Sequence, residues 1–354
     1  MTAATSNSNR RFAAFALIIG AILFLAAGGY GLMLFLSHTP EQADAEPIKP
    51  TQAAVSQRSA EVKAAIDQAR NLIANMQTTQ AEQFLRDTVA KYQIDQELRL
   101  LFAQVLQEQG NPAEALAQYE AAITIGPDHA EYRFAAGLLS DELGHIEDAE
   151  AHLRAAQSLD LSNPKFPLYL AAIETKLGKR DQAREAYTRA AKLDDSLAIA
   201  WGGLAQIALD ENHAESALER ARKARNLEPE RVAWRILEAR ALRRLSKPAE
   251  AVQVLYGIPE AARLRDGVVL TEIATALAMM QRAPEADAIF DQAVNANPRD
   301  AGVHAAAASW YLRYSKLEAA EAHARQAKSL GSSEADDILA HIAKARAAQN
   351  NPGQ

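Results

Sequence analysis

The chain has 354 residues, 49% of them hydrophobic and 23% charged, with a formal net charge of −7 and no cysteine. An acidic balance argues against nucleic acid as the partner. The missing cysteine excludes a disulfide framework and a lipid-modified cysteine, and it fits an oxidising compartment without requiring one.

In chain order, residues 1–11 form a short N-terminal stretch that ends in Arg10 and Arg11. Phe12 to Leu36 carries no charge over 25 residues, more than the roughly 20 needed to cross a bilayer core. The composition predicts a transmembrane helix over 12–36, in contact with the lipid bilayer. The arginines precede it, and Glu41, Asp44 and Glu46 follow it. The positive-inside tendency then leaves the N-terminus in the cytoplasm and the remainder across an inner membrane, periplasmic in a cell with two membranes. A cleaved signal peptide has a shorter apolar run, and the Ala43-Asp44-Ala45 triplet lies far beyond this one. The flanks of Arg10-Arg11 do not match a twin-arginine signal. Residues 37–56, with Pro40, Pro47 and Pro50, read as a polar tether.

From 57 to 348 the chain repeats. Ala81, Ala115, Ala149, Ala183, Ala217, Ala251, Ala286 and Ala320 are spaced by 34 residues, with one gap of 35. Twelve residues before each lies a second small residue: Ala69, Ala103, Gly137, Ala171, Ala205, Ala239, Ala274 and Ala308. Residues 96–129 show the unit. Leu98, Leu101, Phe102, Val105 and Leu106 fall at helical spacing. Gly110-Asn111 ends that helix, and Gly suits the left-handed position past a helix end. Pro112 opens a second helix, where a missing N–H costs nothing. Ala115, Leu116, Tyr119, Ala122 and Ile123 make the second apolar stripe, which ends at Gly126-Pro127. The same grammar is predicted for 62–95, 130–163, 164–197, 198–231, 232–266, 267–300 and 301–334. Gly144, Gly178, Asn212, Ser246, Gln281 and Ser315 occupy the turn position, and Met76 does so in the first unit. Residues 335–348 read as a capping helix, and 349–354 as a disordered tail. The small ladders mark close helix–helix approach. Phe102, Tyr119, Tyr187, Leu204 and Phe290 are expected to fill the gaps between pairs.

This 34-residue pattern resembles the tetratricopeptide-repeat family, in its membrane-anchored bacterial form, over about residues 62–334. The resemblance implies an all-α, right-handed superhelical solenoid of about eight helix–turn–helix repeats. It also implies that the first helix of each repeat lines a concave groove. Carried onto this chain, the groove residues are Gln104, Leu138, Gln206, Arg240, Thr275 and Ser309, with Arg243, Arg244 and Arg313 one turn on. Arg240, Arg243 and Arg244 form the sharpest cluster, suited to gripping a carboxylate through paired N–H donors. The Lys and Asn residues with which some members clamp a chaperone's acidic tail are absent, which argues against a cytosol-facing import receptor.

No phosphate-cradling loop or nucleophile elbow appears. Gly28, Gly29 and Gly31 lie inside the apolar segment and precede no soluble helix. His145 and His152 with Glu147 and Asp148 lack a three-ligand metal spacing. His304 and His323 show no partner in the sequence. No enzyme, cofactor, metal or small-molecule substrate is expected. Charge is uneven: Asp95–Asp160 has a local net of −10, and Leu218–Arg265 one of +6. The expectation is a membrane-anchored scaffold that binds protein partners of the cell envelope in assembly or maturation of a complex. The alternative, a holdase-like chaperone for secreted chains, predicts exposed apolar residues at Leu138, Leu209, Met279 and Met280.

Overall fold

A computed structural model describes residues 52–126 and 128–350, with side chains from 59 onward and up to 349. The apolar segment 12–36, most of the tether and residues 351–354 lie outside the described residues. Among the described residues every regular element is a helix. In chain order they are α1 (Gln52–Ala74), α2 (Thr78–Lys91), α3 (Gln96–Glu108), α4 (Pro112–Ile125), α5 (Ala130–Glu142), α6 (Ile146–Leu159), α7 (Lys165–Lys176), α8 (Arg180–Leu193) and α9 (Ala198–Asp210). Then follow α10 (Ala214–Leu227), α11 (Val232–Arg244), α12 (Pro248–Tyr256), α13 (Glu260–Arg263), α14 (Gly267–Met279), α15 (Ala283–Ala296), α16 (Ala301–Arg313), α17 (Leu317–Ser329) and α18 (Ala335–Asn350). Helix α1 begins five residues inside the segment read as tether. The chain divides into two compact units at Asp195/Ser196.

Local chemistry sets the helix ends. The residue before the first helix of three repeats is Asp95, Asp266 or Asp300, and its carboxylate accepts from backbone N–H groups of the first turn at 2.9–3.1 Å. Each such cap satisfies an orphan donor and contributes about 1 kcal/mol. The turn inside every repeat uses one geometry. Met76, Gly110, Gly144, Gly178, Asn212, Ser246, Gln281 and Ser315 all have φ between 56° and 82°. The N–H of the following residue bonds back five positions at 2.8–2.9 Å, from Asn111 N to Leu106 O through Lys316 N to Tyr311 O. That bond satisfies a carbonyl that the helix leaves open.

The second helix of repeat 232–266 departs from the expected grammar. Helix α12 has 9 residues where its counterparts α4, α6, α8, α10 and α15 have 14. Pro259 has no N–H and disfavours a helical Ile258, so the helix stops before it. The Arg235 guanidinium reaches Val254 O at 3.4 Å, and a Cβ on Gly257 would lie 2.5 Å from its Nη1. Ile258 and Leu264 return to the core at 2% and 6% exposure. The one extra residue of this repeat is absorbed here.

Packing follows the small ladders. Every alanine of both ladders is fully buried, and Gly137 is buried with them. A Cβ at Gly137 would stand 2.8 Å from Leu153 Cγ, so the single glycine of the ladder sits where its neighbour is too close for alanine. Phe102, Tyr119, Tyr187, Leu204 and Phe290 are buried, as expected. In residues 59–195 the core runs through Leu85, Leu98, Phe102 and Tyr119, then Phe134, Leu153 and Phe166. In residues 196–349 it runs through Leu209, Trp234 and Leu237, then Leu255, Ile273, Phe290 and Trp310. Within this second unit, successive first helices α9, α11, α14 and α16, then the cap α18, touch one another directly.

Candidate protein-binding surfaces

The sequence-predicted groove residues divide by what holds them. Gln104 on α3 and Ser309 on α16 are exposed. Leu138 on α5 gives part of its surface to the core around Phe134 and Leu153. Gln206 donates to Asp210 Oδ1 at 2.8 Å, one turn on in α9. The Thr275 hydroxyl donates to its own helix at Thr271 O, at 2.7 Å. Of the sharpest cluster, Arg240 and Arg243 meet on an internal carboxylate that sequence reasoning missed, and Arg244 does not. Arg240 Nε donates to Glu272 Oε1 at 2.7 Å, and Arg243 Nη2 lies 2.8 Å from Glu272 Oε2. Glu272 belongs to α14, the next first helix, and is 6% exposed. Burial lowers the pKa of Arg243, Glu272 opposes that shift, and Arg240, Arg313 and Arg244 add to it by repulsion. Arg244 and Arg313 are exposed and make no ion pair or hydrogen bond among the described residues.

Two more buried glutamates follow the same scheme. Glu238, 1% exposed, receives Arg222 Nε at 2.9 Å and lies 2.9 Å from Arg225 Nε. Glu174, also 1% exposed, accepts from Arg154 at 2.7 Å. Burial raises the pKa of Glu174 against the pull of Arg154. Each glutamate sits beside the small ladder on a first helix. The available signal was a lone carboxylate on an apolar stripe, with paired bases 13–32 residues away.

The basic segment 218–265 is therefore largely spent within its own unit. Arg222, Arg225, Arg240 and Arg243 serve buried glutamates. Arg231 pairs with Glu228, and Lys247 with Glu250. Arg263 bonds Ile258 O and Arg265 bonds Asn297. An open cleft of about 320 Å³ is lined by Arg225, Asn226, Pro229 and Arg235, of which Arg225 is held by Glu238 and Arg235 donates to Val254 O. In the acidic segment, Asp141 holds Lys176 at 2.5 Å and Glu150 holds Lys179 at 2.5 Å. Burial alone would raise the Glu150 pKa, but Lys179 and Arg154 hold it below the usual value.

The histidines also differ from the sequence reading. His304 and His323 face each other, Nδ1 to Nδ1 at 3.1 Å, with ring centroids 5.3 Å apart. That centroid separation points the nitrogens nearly head-on, as in a hydrogen bond. His304 Nε2 lies 3.2 Å from Pro298 O, a pure acceptor, so that nitrogen carries hydrogen. Burial and His304 together lower the His323 pKa against the pull of Asp291. Among the described residues no three His, Asp or Glu side chains gather as metal ligands. Of the residues named for the chaperone reading, Leu209 is buried at 1% and Met279 is exposed at 47%. Leu138 and Met280 are half-buried. No helix among the described residues is long and apolar enough to cross a membrane.

Comparison with known proteins places the pattern. A tetratricopeptide-repeat family model matches residues 100–164 and 173–213, and a model described as the N-terminal TPR repeats region of Psidin matches 207–330. A tetratricopeptide-repeat protein from Parabacteroides merdae ATCC 43184 superposes with a TM-score of 0.56 at 15% identity, over 70% of this chain and 98% of that one. Yeast Tom70 gives 0.46 at 18% identity, over 79% of this chain and 60% of that one. Pseudomonas aeruginosa pilF gives 0.45 at 21% identity, over 60% and 96%. No protein of curated function matches the sequence. The 34-residue register, the left-handed turn in every repeat and these family matches together make the chain a member of the tetratricopeptide-repeat proteins.

Proposed function

We propose that the chain is a membrane-anchored scaffold that binds protein partners of the cell envelope during assembly or maturation of a complex. The observation that carries the binding role is the face built by α9, α11, α14 and α16. It offers the polar and cationic side chains of Gln206, Arg244, Thr275, Ser309 and Arg313, and among the described residues no three metal-ligating side chains gather. Its mechanism is passive: a rigid surface holds a segment of the partner, and tethering to one membrane raises the local concentration, so that modest affinity suffices. The uncharged run 12–36 behind Arg10 and Arg11 supports the anchor and the extracytoplasmic placement. The chaperone alternative loses support from the burial of Leu209 and the partial burial of Leu138 and Met280.

A reporter enzyme active only outside the cytoplasm, fused after residue 354, tests the placement. Activity is expected, whereas a full-length fusion that accumulates without activity overturns the envelope reading. Photocrosslinking in cells from Gln104, Gln206, Thr275 and Ser309 tests the scaffold role. A small set of recurrent partners is expected; a smear of unrelated secreted chains would replace the scaffold with a holdase.

A further inference from the structure

Resting on the reading of the chain as a protein-binding scaffold, we propose that the ends of three successive first helices form a docking strip. Its ligand is a protein segment in which one apolar side chain lies between two carboxylates. Arg244, Met279 and Arg313 are the last residues of α11, α14 and α16. They occupy one register position, five residues after Ala239, Ala274 and Ala308 of the buried ladder. Helices α11 and α14 touch, as do α14 and α16, so the three residues stand in a row within one unit.

The row is unfinished by the protein's own contacts. Arg244 and Arg313 are exposed and have no acidic partner among the described residues. Met279 between them is 47% exposed. Behind the row, Arg240 and Arg243 share the single carboxylate of Glu272. Arg243 feels the repulsion of Arg240, Arg244 and Arg313 together. Four guanidinium groups around one buried carboxylate leave a local positive excess, which an acidic segment would complete. Glu272 holds Arg240 and Arg243 from beneath and acts as a positioning residue for the patch. A cation at a helix C-terminus has an ordinary explanation in the helix dipole. The same register position holds Glu108, Glu142 and Asp210, as well as Lys176, in other repeats, so a dipole preference alone does not fix this row. Asp210 on α9, already bonded to Gln206, closes the strip on that side.

Spacing narrows the ligand. Packed helices stand about 8–10 Å apart, and a polyproline II segment advances about 3.1 Å per residue with three residues per turn, so that positions three apart share one face. The carboxylates should therefore lie about three positions on either side of the apolar residue.

The test is fluorescence anisotropy of the full-length chain with a labelled peptide carrying two glutamates about six positions apart and a leucine midway. Expected is saturable binding that weakens with added salt. Replacing both glutamates with glutamine, or making Arg244→Ala with Arg313→Ala, should weaken it about tenfold or more. Met279→Ser should weaken the leucine peptide severalfold and leave a serine-centred peptide unchanged. Both arginines are exposed and unpaired, so unaltered melting of the variants is expected and separates binding from folding. Equal binding of the glutamine peptide, equal binding by the arginine double variant, or no binding of the glutamate peptide overturns the strip. If crosslinks from Thr275 and Ser309 still capture recurrent partners in cells, only the strip fails; if they capture none, the scaffold reading fails with it.

Discussion

A left-handed backbone at a non-glycine residue costs about 1–2 kcal/mol. Five of the eight repeat turns carry that cost, at Met76, Asn212, Ser246, Gln281 and Ser315. Asn tolerates the conformation better than the others. Part of the gain from glycine is returned as unfolded-chain entropy. Ser246→Gly, Gln281→Gly and Ser315→Gly should each raise stability by about 0.5–1 kcal/mol. Their effects should nearly add, since each lies in a separate turn. Gly178→Ser should lose a similar amount. Urea unfolding of the four variants checks the sign, and a Gln281→Gly chain less stable than the parent would mean that its side chain contributes more than the strain costs. The turn position itself was legible, because Gly110, Gly144 and Gly178 announce it and the 34-residue phase carries it to the other repeats. The roles of Glu174, Glu238 and Glu272 were not legible. Their counter-ions sit on neighbouring helices, and a pattern within one helix shows only a carboxylate on the wrong face.

At the scale of a helix, a pair of residues can exchange volume while the repeat keeps its spacing. Gly202 on α9 occupies the register position of Leu100 and Leu168 in other repeats. Trp234 on α11 fills that space instead: a Cβ on Gly202 would lie 2.0 Å from Trp234 Cζ3. Trp234 is 2% exposed and its Nε1 donates to Glu228 at 2.9 Å, so the ring has little freedom to move. Gly202→Ala should therefore cost about 2–3 kcal/mol by overpacking. Trp234→Phe removes the colliding ring atoms and should make the same glycine substitution much milder. A double-mutant cycle by thermal or urea unfolding reads the coupling, and additive losses would show that the two residues do not exchange volume. Helix boundaries were largely legible because Gly, Pro and Asp mark them. The shortened α12 was not. The grammar carried over from the other repeats puts a full second helix in 232–266, although Pro259 and the 35-residue gap both fall in that repeat. A repeat imposed on a sequence hides its own exceptions.

At the scale of a whole repeat array, packing is between neighbours, so within each unit stability should be a sum of local terms and its loss should stay local. The architecture was legible from period alone, since a spacing of 34 residues kept over eight units has few other physical causes. The charge zones were less so: net charge counts residues, while most bases in 218–265 are consumed by carboxylates of the same unit. What distinguishes the strip is that Arg244 of this segment and Arg313 of α16 stand in one register without an acidic partner among the described residues, and no count could single that out. Locality is tested at the C-terminal cap. Helix α18 packs on α17 and α16 through Ala335, Ile338 and Ile342, at 0%, 8% and 1% exposure. A chain ending at Glu334 exposes the apolar face beneath them. Hydrogen exchange should then show protection falling sharply in 301–329 and less in 267–296. Protection across α3 and α4 should be unchanged, because the nearest-neighbour terms there are intact. Uniform loss along the whole chain would mean that the repeats unfold as one cooperative body and that the cap stabilises all of them.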